Sequence, residues 1–511
     1  MVEREWREAS DMRRSTLPLL AILTVAALLR FWSLGAGIPT AVAVDEPQIM
    51  NRSVQMMKSG SLNPNGFFDY PGLYLYVQMA VACVRFLTGA VTGEFKSLND
   101  VRPEDFYLWG RAVTAALGTL TVFVVYRIGL RWGTRYALLA AALLAVAPIH
   151  VRESHYVLTD VPATFFVTLT FLLSLTAHEK PSALAFASAG AAAGLAAATK
   201  YPGGLAMMLP LVAIWMTSDV RPSRATAALS AISAGGLVFL LAAPYTILDL
   251  PGFLNGFAGL ASGYSNGTLA EPAWLTYLKH LRLNLRWPAL LLIAAGLVLA
   301  MFRAVRGPGR VRWTLTVVFP LVYFWSLSRQ TYIFARYLLP VVPFLCVLAA
   351  VAVVAGVSLL RRFAIPRAVR TALIVGLTVA ALLPPLIRSI GFVRMISRHP
   401  TVELAYNWVQ QNIPKGAKIV VETRGIRLPP DYNWTNLAQL RQRDFGEYRN
   451  SGVDYLIASS DAFGQYLESP QNAPREYEQY MRIFGQAQEV VRFSPSDDHP
   501  GPELRILKVQ P

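Results

Sequence analysis

The stretch "TLPLLAILTVAALLRFWSLGAGIPTAVAVDEP", residues 16–47, sets the character of the chain. Residues 16–35 carry a single charge, Arg30, and are long and apolar enough to cross a bilayer as a helix. Two adjacent carboxylates, Asp45 and Glu46, follow, and Pro47 breaks any continuing helix. Because charge at a membrane edge is costly, this pair is either exposed in a loop or has a use.

The rest of the chain repeats this apolar pattern. Of its 511 residues, 54% are hydrophobic and 15% are charged, with a mean hydropathy of +0.40, which excludes an ordinary soluble protein. The net charge of +16 would suit nucleic-acid binding in a soluble chain. Here, however, the arginines gather at the ends of apolar segments, as membrane topology requires. The expected partner is therefore a lipid bilayer, and no nucleic acid is expected.

Hydropathy windows of about 19 residues predict eleven membrane spans. They are residues 16–35, 107–127, 134–150, 161–178, 182–199, 203–218, 226–247, 287–303, 314–328, 338–358 and 371–390. The predicted fold class is thus a polytopic α-helical membrane protein, with a membrane module over residues 1–390 and a separate domain over 391–511.

Arginine-rich loops lie on one side of these spans, and the positive-inside rule makes that side cytoplasmic. An odd number of spans then puts the N-terminus inside and the C-terminal domain outside. Three acidic and aromatic loops also fall outside: 36–106, 150–160 and 248–286. Helical spacing of apolar residues in 47–60 and 70–89 predicts short helices lying in the membrane interface.

From residue 391 the sequence reads as a small α/β domain. Residues 401–422 predict a helix and then a strand, "GVDYLIASS" (452–460) a strand, 475–493 a helix, and "ELRILKVQ" (503–510) a strand.

The second outer loop concentrates polar residues between two apolar spans. His150, Arg152, Glu153, His155 and Asp160 lie within eleven residues. Asp160 has two compatible interpretations: it caps the next helix, or it faces a pocket beneath the first loop. Glu153 and His155 are candidate ligands for a divalent cation such as Mg²⁺, Mn²⁺, Ca²⁺ or Zn²⁺.

Lys200 and Arg336 are cations at the outer ends of apolar spans, and Arg329 lies near the second of them. Each of these long side chains could simply extend from the end of its span to the membrane interface. Alternatively, two cations opposite several carboxylates suit a ligand with a phosphate at one end and a reacting hydroxyl at the other. On that interpretation Asp45 and Asp160 face one cavity, with Lys200 and Arg336 on its rim.

Five motifs resemble those of the GT-C class of integral-membrane glycosyltransferases, particularly the protein O-mannosyltransferases and the lipid A aminoarabinose transferases. In order, they are "DEPQIMNRSVQMMKSG" (45–60), "FDYPGLYLYV" (68–77), "TDVPATFFV" (159–167), "ATKYPGG" (198–204) and "ARYLLPVVP" (335–343). The resemblance covers about residues 16–345. "YPG" stands where the aminoarabinose transferases have a Lys-Pro-Pro-like stretch, which leaves the acceptor open.

The resemblance implies a sugar donor linked through phosphate to a polyprenyl lipid, used on the outer face of a bacterial inner membrane. Asp45 would orient or deprotonate an acceptor hydroxyl of a glycan, lipid or protein, and Glu46, the other catalytic candidate, would be its structural or acceptor-contacting neighbour. Asp160 would lie near the donor sugar or a metal, and the reaction would be an inverting single displacement. The remaining candidate residues are Lys200, Arg336, Tyr337 and Arg329 for the donor phosphate, and Tyr70, Tyr201, His155 and Arg52 for substrate contacts.

A transporter or lipid flippase is the alternative function. It would place charged residues near span midpoints and interrupt helices, whereas the polar groups here gather at the outer ends of the spans.

Overall fold

The computed structural model of the chain describes residues 2–39, 45–265, 269, 271–363, 365–423, 425–429 and 431–509, with side chains from residue 16 onward. The chain forms two compact units, whose described residues are 2–34 with 45–392 and 35–39 with 393–509. The predicted boundary at 390/391 falls inside a helix, Arg367–Ile396.

The first unit is a bundle of helices. In chain order they are α1 (Val2–Phe31), α2 (Glu46–Ser59), α3 (Gly72–Val91), α4 (Tyr107–Gly129), α5 (Thr134–Ala145), α6 (Pro148–Glu153), α7 (Asp160–Glu179), α8 (Ala183–Thr199), α9 (Met208–Met216), α10 (Arg224–Ala242), α11 (Tyr245–Leu248), α12 (Leu250–Ser265), α13 (Ala273–Arg306), α14 (Arg310–Leu327), α15 (Val342–Leu360) and α16 (Arg367–Ile396). Short 3-10 segments, Tyr201–Met207 and Ala335–Val341, lead into α9 and α15.

Among the described residues, seven helices are long and apolar enough to cross a membrane, and four further apolar helices are shorter. Each predicted span falls on helical residues, some with short breaks. A break inside α13 at Arg286, where φ is 64°, comes directly before the predicted span 287–303. The predicted class of polytopic α-helical membrane protein is confirmed, while the number eleven stays a prediction.

Helix α3 is long enough to span a membrane, although the sequence predicts an interfacial helix there. Near its start, the Tyr74 hydroxyl lies 2.6 Å from that of Thr114 in α4. Just past its end, Phe95 packs on Phe106, the residue before α4, with ring centroids 6.4 Å apart. Both ends of α3 therefore lie near the start of α4, so α3 crosses that end instead of running along α4. The position of α3 in the membrane interface stays a prediction.

Helices α8 and α10 pack with their backbones in contact. A methyl group added at Gly190 would lie 2.0 Å from the carbonyl oxygen of Ala231, and one at Gly194 would lie 2.2 Å from that of Gly235. Small residues allow this close approach between membrane helices. Because Lys200 directly follows α8, the packing also fixes the position of that cation.

The second unit is built on a five-stranded sheet with the order β2-β1-β3-β5-β4. Its elements are α17 (Thr401–Asn412), β1 (Lys418–Glu422), β2 (Asn433–Leu437), α18 (Phe445–Asn450), β3 (Tyr455–Ser459), α19 (Ser460–Glu468), α20 (Pro474–Gln486), β4 (Gln488–Phe493) and β5 (Leu504–Lys508). Strand β1 pairs parallel with β2 and β3, and β5 is antiparallel to β3 and β4. The predicted small α/β domain is confirmed.

One local prediction in this unit is wrong, and one strand was not predicted. The helix predicted over 475–493 stops at Gln486, and the rest forms β4. Strand β2 was not predicted, because it is an edge strand whose side chains are only partly buried and its sequence lacks an apolar run.

Candidate active site

Four charged side chains from distant parts of the chain meet at one end of the helix bundle. Asp45 precedes α2, Asp160 is the first residue of α7, Lys200 follows α8, and Arg336 lies in the 3-10 segment before α15. The sequence analysis expected these four residues to lie together, and the structure brings them together. We call them the charged cluster.

The charged cluster is a chain of alternating charges. Nζ of Lys200 lies 2.6 Å from Oδ1 of Asp160. Nη2 of Arg336 lies 2.6 Å from Oδ2 of Asp45, and its Nε lies 3.8 Å from Oδ2 of Asp160. Each cation is thus paired with a carboxylate, and the cluster as a whole is formally neutral.

The two acids of the charged cluster differ in how exposed their side chains are. The side chain of Asp160 is 4% exposed and that of Asp45 is 22% exposed. Asp45 is therefore the more accessible acid of this cluster.

Asp160 does not act as the helix cap that one interpretation predicted. The residue that precedes α7 is Thr159, which makes no side-chain capping hydrogen bond, and the Asp160 carboxylate instead binds Lys200. The Asp160 carboxylate is therefore part of an ion pair and does not cap α7.

A tight turn positions Lys200. The amide of Gly203 donates to the Lys200 carbonyl oxygen at 2.8 Å. A methyl group at Gly203 would lie 2.4 Å from the carbonyl oxygen of Ala196, so a larger residue would push this turn away from α8.

A cavity of about 340 Å³ lies beside the charged cluster and is reached by Lys200. Its polar wall carries tyrosines 70, 201, 264, 323 and 337, and apolar side chains such as Leu205, Phe257 and Leu260 form much of the rest. Neither Asp45, Asp160 nor Arg336 is among the lining residues. The expectation that both acids face this cavity is therefore not met, since Asp160 reaches it only through Lys200.

The tyrosines of the cavity connect it to Lys200 of the charged cluster. The Tyr337 ring lies under Lys200, with Nζ 4.3 Å from its centroid, and its hydroxyl lies 2.7 Å from that of Tyr264. Tyr201 donates to the carbonyl oxygen of Phe68 at 3.0 Å. Burial, and then the nearby charge of Asp45, raises the pKa of Tyr70, so this hydroxyl stays protonated and can donate.

Glu46 has a different environment from its neighbour Asp45. It is fully buried and takes two hydrogen bonds from Arg111 of α4, from Nε to Oε1 and from Nη2 to Oε2, both at 2.8 Å. It also accepts from the amide of Val157 at 2.8 Å. The predicted catalytic role of Glu46 is not supported by this geometry, because contact with a substrate would require the buried ion pair to open.

Several predicted site residues lie apart from the charged cluster. Arg329 is exposed, with its guanidinium 5.6 Å from the Trp325 ring centroid. Arg52 stacks on Phe67 at 3.7 Å and donates to the carbonyl oxygen of Gln48 at 2.9 Å. Neither one contacts a member of the cluster in the described part of the chain.

Glu153 and His155 do not form a metal site. The Glu153 carboxylate binds Arg152 at 2.6 Å. Nδ1 and Nε2 of His155 lie 2.9 Å and 3.1 Å from the carbonyl oxygens of Val151 and Trp32, so each ring nitrogen faces backbone and one of them donates a hydrogen bond. Across the residues that the structure describes, no three His, Cys, Asp or Glu side chains group as metal ligands would. A metal requirement stays a prediction without assigned ligands.

The sequence analysis missed three residues of this region. Arg111 lies at the start of an apolar span, and its partner Glu46 is far away in sequence. Tyr264 lies in the predicted outer loop 248–286 and was given no role, although it lines the cavity. Asp69, which lines the cavity, was quoted only within a motif; its position beside Tyr70 was the available signal.

A family model matches part of the chain. Residues 64–250 match the family model of dolichyl-phosphate-mannose-protein mannosyltransferase. That range includes Asp160 and Lys200 and leaves out Asp45 and Arg336. A comparison with curated proteins finds no match.

Solved structures share the fold. ArnT from Cupriavidus metallidurans bound to undecaprenyl phosphate gives a TM-score of 0.56 at 16% identity, over 95% of this chain and 97% of that one. The oligosaccharyltransferase of Archaeoglobus fulgidus in the apo form gives 0.53 at 12% identity, over 91% and 71%. The same archaeal protein in complex with Zn and sulfate gives 0.52 at 12% identity, over 94% and 72%.

The fold is therefore that of the GT-C integral-membrane glycosyltransferases. The resemblance predicted from the five motifs is confirmed by this fold and by the family match.

Proposed function

We propose that the chain transfers a sugar from a polyprenyl-phosphate donor to an acceptor hydroxyl or phosphate on the outer face of a bacterial inner membrane. The observation that carries this proposal is the charged cluster beside a cavity with tyrosine and apolar walls. A phosphate group requires cations, a sugar suits aromatic and hydroxyl groups, and a polyprenyl chain suits an apolar surface.

Lys200 and Arg336 hold the donor phosphate in this proposal. Both are paired with carboxylates in the charged cluster, so a phosphate must compete with Asp160 and Asp45 for them. Arginine and lysine bind phosphate through charge-assisted hydrogen bonds of the same kind that they make with carboxylates, so a phosphate can take the place of a carboxylate. When phosphate takes Arg336, the Asp45 carboxylate loses its partner and is free to accept a hydrogen bond from the acceptor hydroxyl. Donor binding thereby prepares the acid that acts on the acceptor.

Asp45 is the general base of the proposed reaction. Its 22% exposure makes it more accessible than Asp160 at 4% or Glu46 at 0%. Asp45 takes the proton of the acceptor hydroxyl while the acceptor oxygen attacks the anomeric carbon. The bond from that carbon to the phosphate oxygen breaks, the configuration inverts, and polyprenyl phosphate leaves with its charge held by Lys200 and Arg336.

Tyr70, Tyr201 and Tyr337 contact the donor in this proposal, and Asp69 is a further candidate because it lines the same cavity. Arg329 and Arg52 have no part in it. Glu46 has a structural role in this proposal, through its buried ion pair with Arg111.

The proposal is tested with purified protein in lipid nanodiscs and a panel of radiolabelled polyprenyl-phosphate hexoses and pentoses. Wild type should transfer or hydrolyse one donor, and Asp45→Asn should reduce that rate by about 10²- to 10⁴-fold, the usual contribution of a general base. Asp100→Asn is the matched control, because this acid of the same loop only accepts from the amides of Lys96 and Ser97.

Two outcomes would contradict the proposal. Full activity of Asp45→Asn would exclude this acid as the base. A wild type that is inactive with every donor, yet moves a lipid across liposome membranes saturably, would favour the transporter function.

A further inference from the structure

A second cavity, of about 270 Å³, lies in the second unit, and three of its lining residues are arginines. Arg441 and Arg443 come from the segment after β2, and Arg482 comes from α20. Asp444 also lines the cavity, so the lining carries a net charge of +2. We call this site the arginine pocket.

The guanidinium groups of the arginine pocket are poorly neutralised. Within the described residues, no carboxylate lies within 4 Å of Arg443 or Arg441. Arg482 has only Glu478 at 3.9 Å, and the side chains of this pair are 72% and 67% exposed. An ion pair this exposed contributes little. Three cations that converge without equal negative charge favour an anionic ligand.

One wall of the pocket is held in a fixed position. Nε of Arg441 donates to Oε1 of Gln439 at 2.6 Å, and its guanidinium lies 5.3 Å from the Tyr466 ring centroid. A guanidinium oriented in this way loses less freedom when it binds an anion.

Glu422, at the end of β1, bonds to both chain segments that line the pocket, the one that follows β2 and helix α20. Its buried carboxylate accepts from the amide of Leu440 at 2.8 Å and from the hydroxyl of Tyr480 at 2.6 Å. Leu440 precedes Arg441, and Tyr480 lies half a turn before Arg482 on α20. Glu422 therefore anchors, at the carboxyl end of β1, both segments that carry the lining arginines.

The remaining lining residues indicate what carries the negative charge. Gln479 and Gln486 offer amides that both donate and accept hydrogen bonds, which suits sugar hydroxyls. Phe445 and Ile483 add apolar surface of the kind that packs against a sugar ring. A volume of about 270 Å³ is at the small end for ligand sites and suits a single ring.

We infer that the arginine pocket binds a sugar that carries a phosphate or a carboxylate group. This inference concerns the second unit alone and does not depend on transfer by the charged cluster.

The test uses full-length protein in nanodiscs of neutral lipid and isothermal titration calorimetry at low salt. The probes are glucose 1-phosphate, glucuronate, glucose and inorganic phosphate. Wild type should bind one of the two anionic sugars at least tenfold more tightly than glucose or inorganic phosphate. The double variant Arg443→Gln and Arg482→Gln should bind it at least tenfold more weakly, because it lacks two charge-assisted hydrogen bonds.

Arg475→Gln is the matched control, because Arg475 is exposed on the same helix and does not line the pocket. It should change the affinity by less than about twofold, as expected for a screened surface charge. All variants should keep the thermal unfolding midpoint of wild type, since the replaced side chains are exposed.

Four results would overturn the inference. The first is that neither anionic sugar binds. The second is that the control and the double variant lose affinity equally, and the third is that inorganic phosphate binds as tightly as glucose 1-phosphate. The fourth is binding to vesicles of anionic phospholipid that depends on Arg443 and Arg482 without binding of either soluble sugar. That result would assign the pocket to a lipid surface.

Discussion

Asp45 and Glu46 are neighbours in sequence and opposites in environment. Glu46 is 0% exposed and holds an arginine that is 1% exposed, Arg111. Asp45 is 22% exposed and holds an arginine that is 20% exposed, Arg336. The two ion pairs contain the same chemical groups, yet one is closed to ligands and the other is open to exchange.

This difference separates support from chemistry. A buried pair with further hydrogen bonds keeps its partners, because losing either one leaves an uncompensated charge in an apolar interior. In a partly exposed pair beside a cavity, either side chain can exchange its partner for a charged substrate. We therefore expect substitutions around Glu46 to lower stability, and substitutions around Asp45 to change binding and turnover.

The largest effect on stability is expected for Glu46→Gln. The neutral amide leaves the buried guanidinium of Arg111 without its counter-charge, so the free energy of unfolding should fall by about 3–5 kcal/mol. Thermal unfolding in detergent measures this. Glu94→Gln is the control, because Glu94 pairs with Arg85 and is 51% exposed; it should cost less than about 1 kcal/mol. Equal midpoints for the two variants would remove the distinction between closed and open pairs.

Lys200→Ala should weaken the binding of polyprenyl phosphate by about tenfold to a hundredfold, since a hydrogen bond to a charged group contributes about 1.5–3 kcal/mol. Titration of the lipid into nanodiscs measures the affinity. Lys180→Ala removes an exposed lysine at the other end of the neighbouring helix α7 and should leave the affinity unchanged. Unaltered affinity in Lys200→Ala would mean that this cation serves only Asp160.

Gly203→Ala tests whether the turn sets the position of Lys200. The added methyl would meet the Ala196 carbonyl oxygen at 2.4 Å, so the variant should lose about 1–3 kcal/mol of stability and bind the donor more weakly. Gly204→Ala meets only a methyl group at 3.4 Å and should behave like wild type in both measurements. If the two alanines are equivalent, the turn is not a fixed element of the site.

The smallest effect is expected for Arg329→Ala. This arginine is exposed and stacks on Trp325, so the rate of transfer should stay within about twofold of wild type. A larger fall in the transfer assay would return Arg329 to the set of residues that hold the donor phosphate.

The charged cluster could be predicted from the sequence because Lys200 and Arg336 are lone cations at the ends of apolar spans, and Asp45 and Asp160 stand in acidic loops on the same predicted side. The pairing within it could not, since Lys200 and Asp160 are forty residues apart and only the packing of α7 and α8 brings them to 2.6 Å. The predicted convergence at one end of the bundle followed from topology. Which acid stays exposed depends on side-chain positions that topology does not specify.

Arg111 illustrates the opposite case. A single cation in an apolar span gives no sign of its partner, and Glu46 was considered only together with Asp45. In the second unit, the periodicity of residues 475–493 suited a helix throughout, and pairing with β5 turned its last part into a strand. The arginine pocket could likewise not be predicted, because Arg441 and Arg482 are distant in sequence and only the fold brings Arg441 to α20, where Nη1 donates to Oε1 of Gln479 at 3.5 Å.

The most direct test of the account separates binding from turnover in Asp45→Asn. In nanodiscs, the affinity for polyprenyl phosphate and the rate of sugar transfer are measured for the same preparation, beside Asp100→Asn. The account predicts that Asp45→Asn binds the lipid phosphate as tightly as wild type or more tightly, because Arg336 is released, while the rate of transfer falls by at least a hundredfold. Weaker binding with an unchanged rate would contradict it, because Asp45 would then hold Arg336 in place for the donor and take no part in the chemistry.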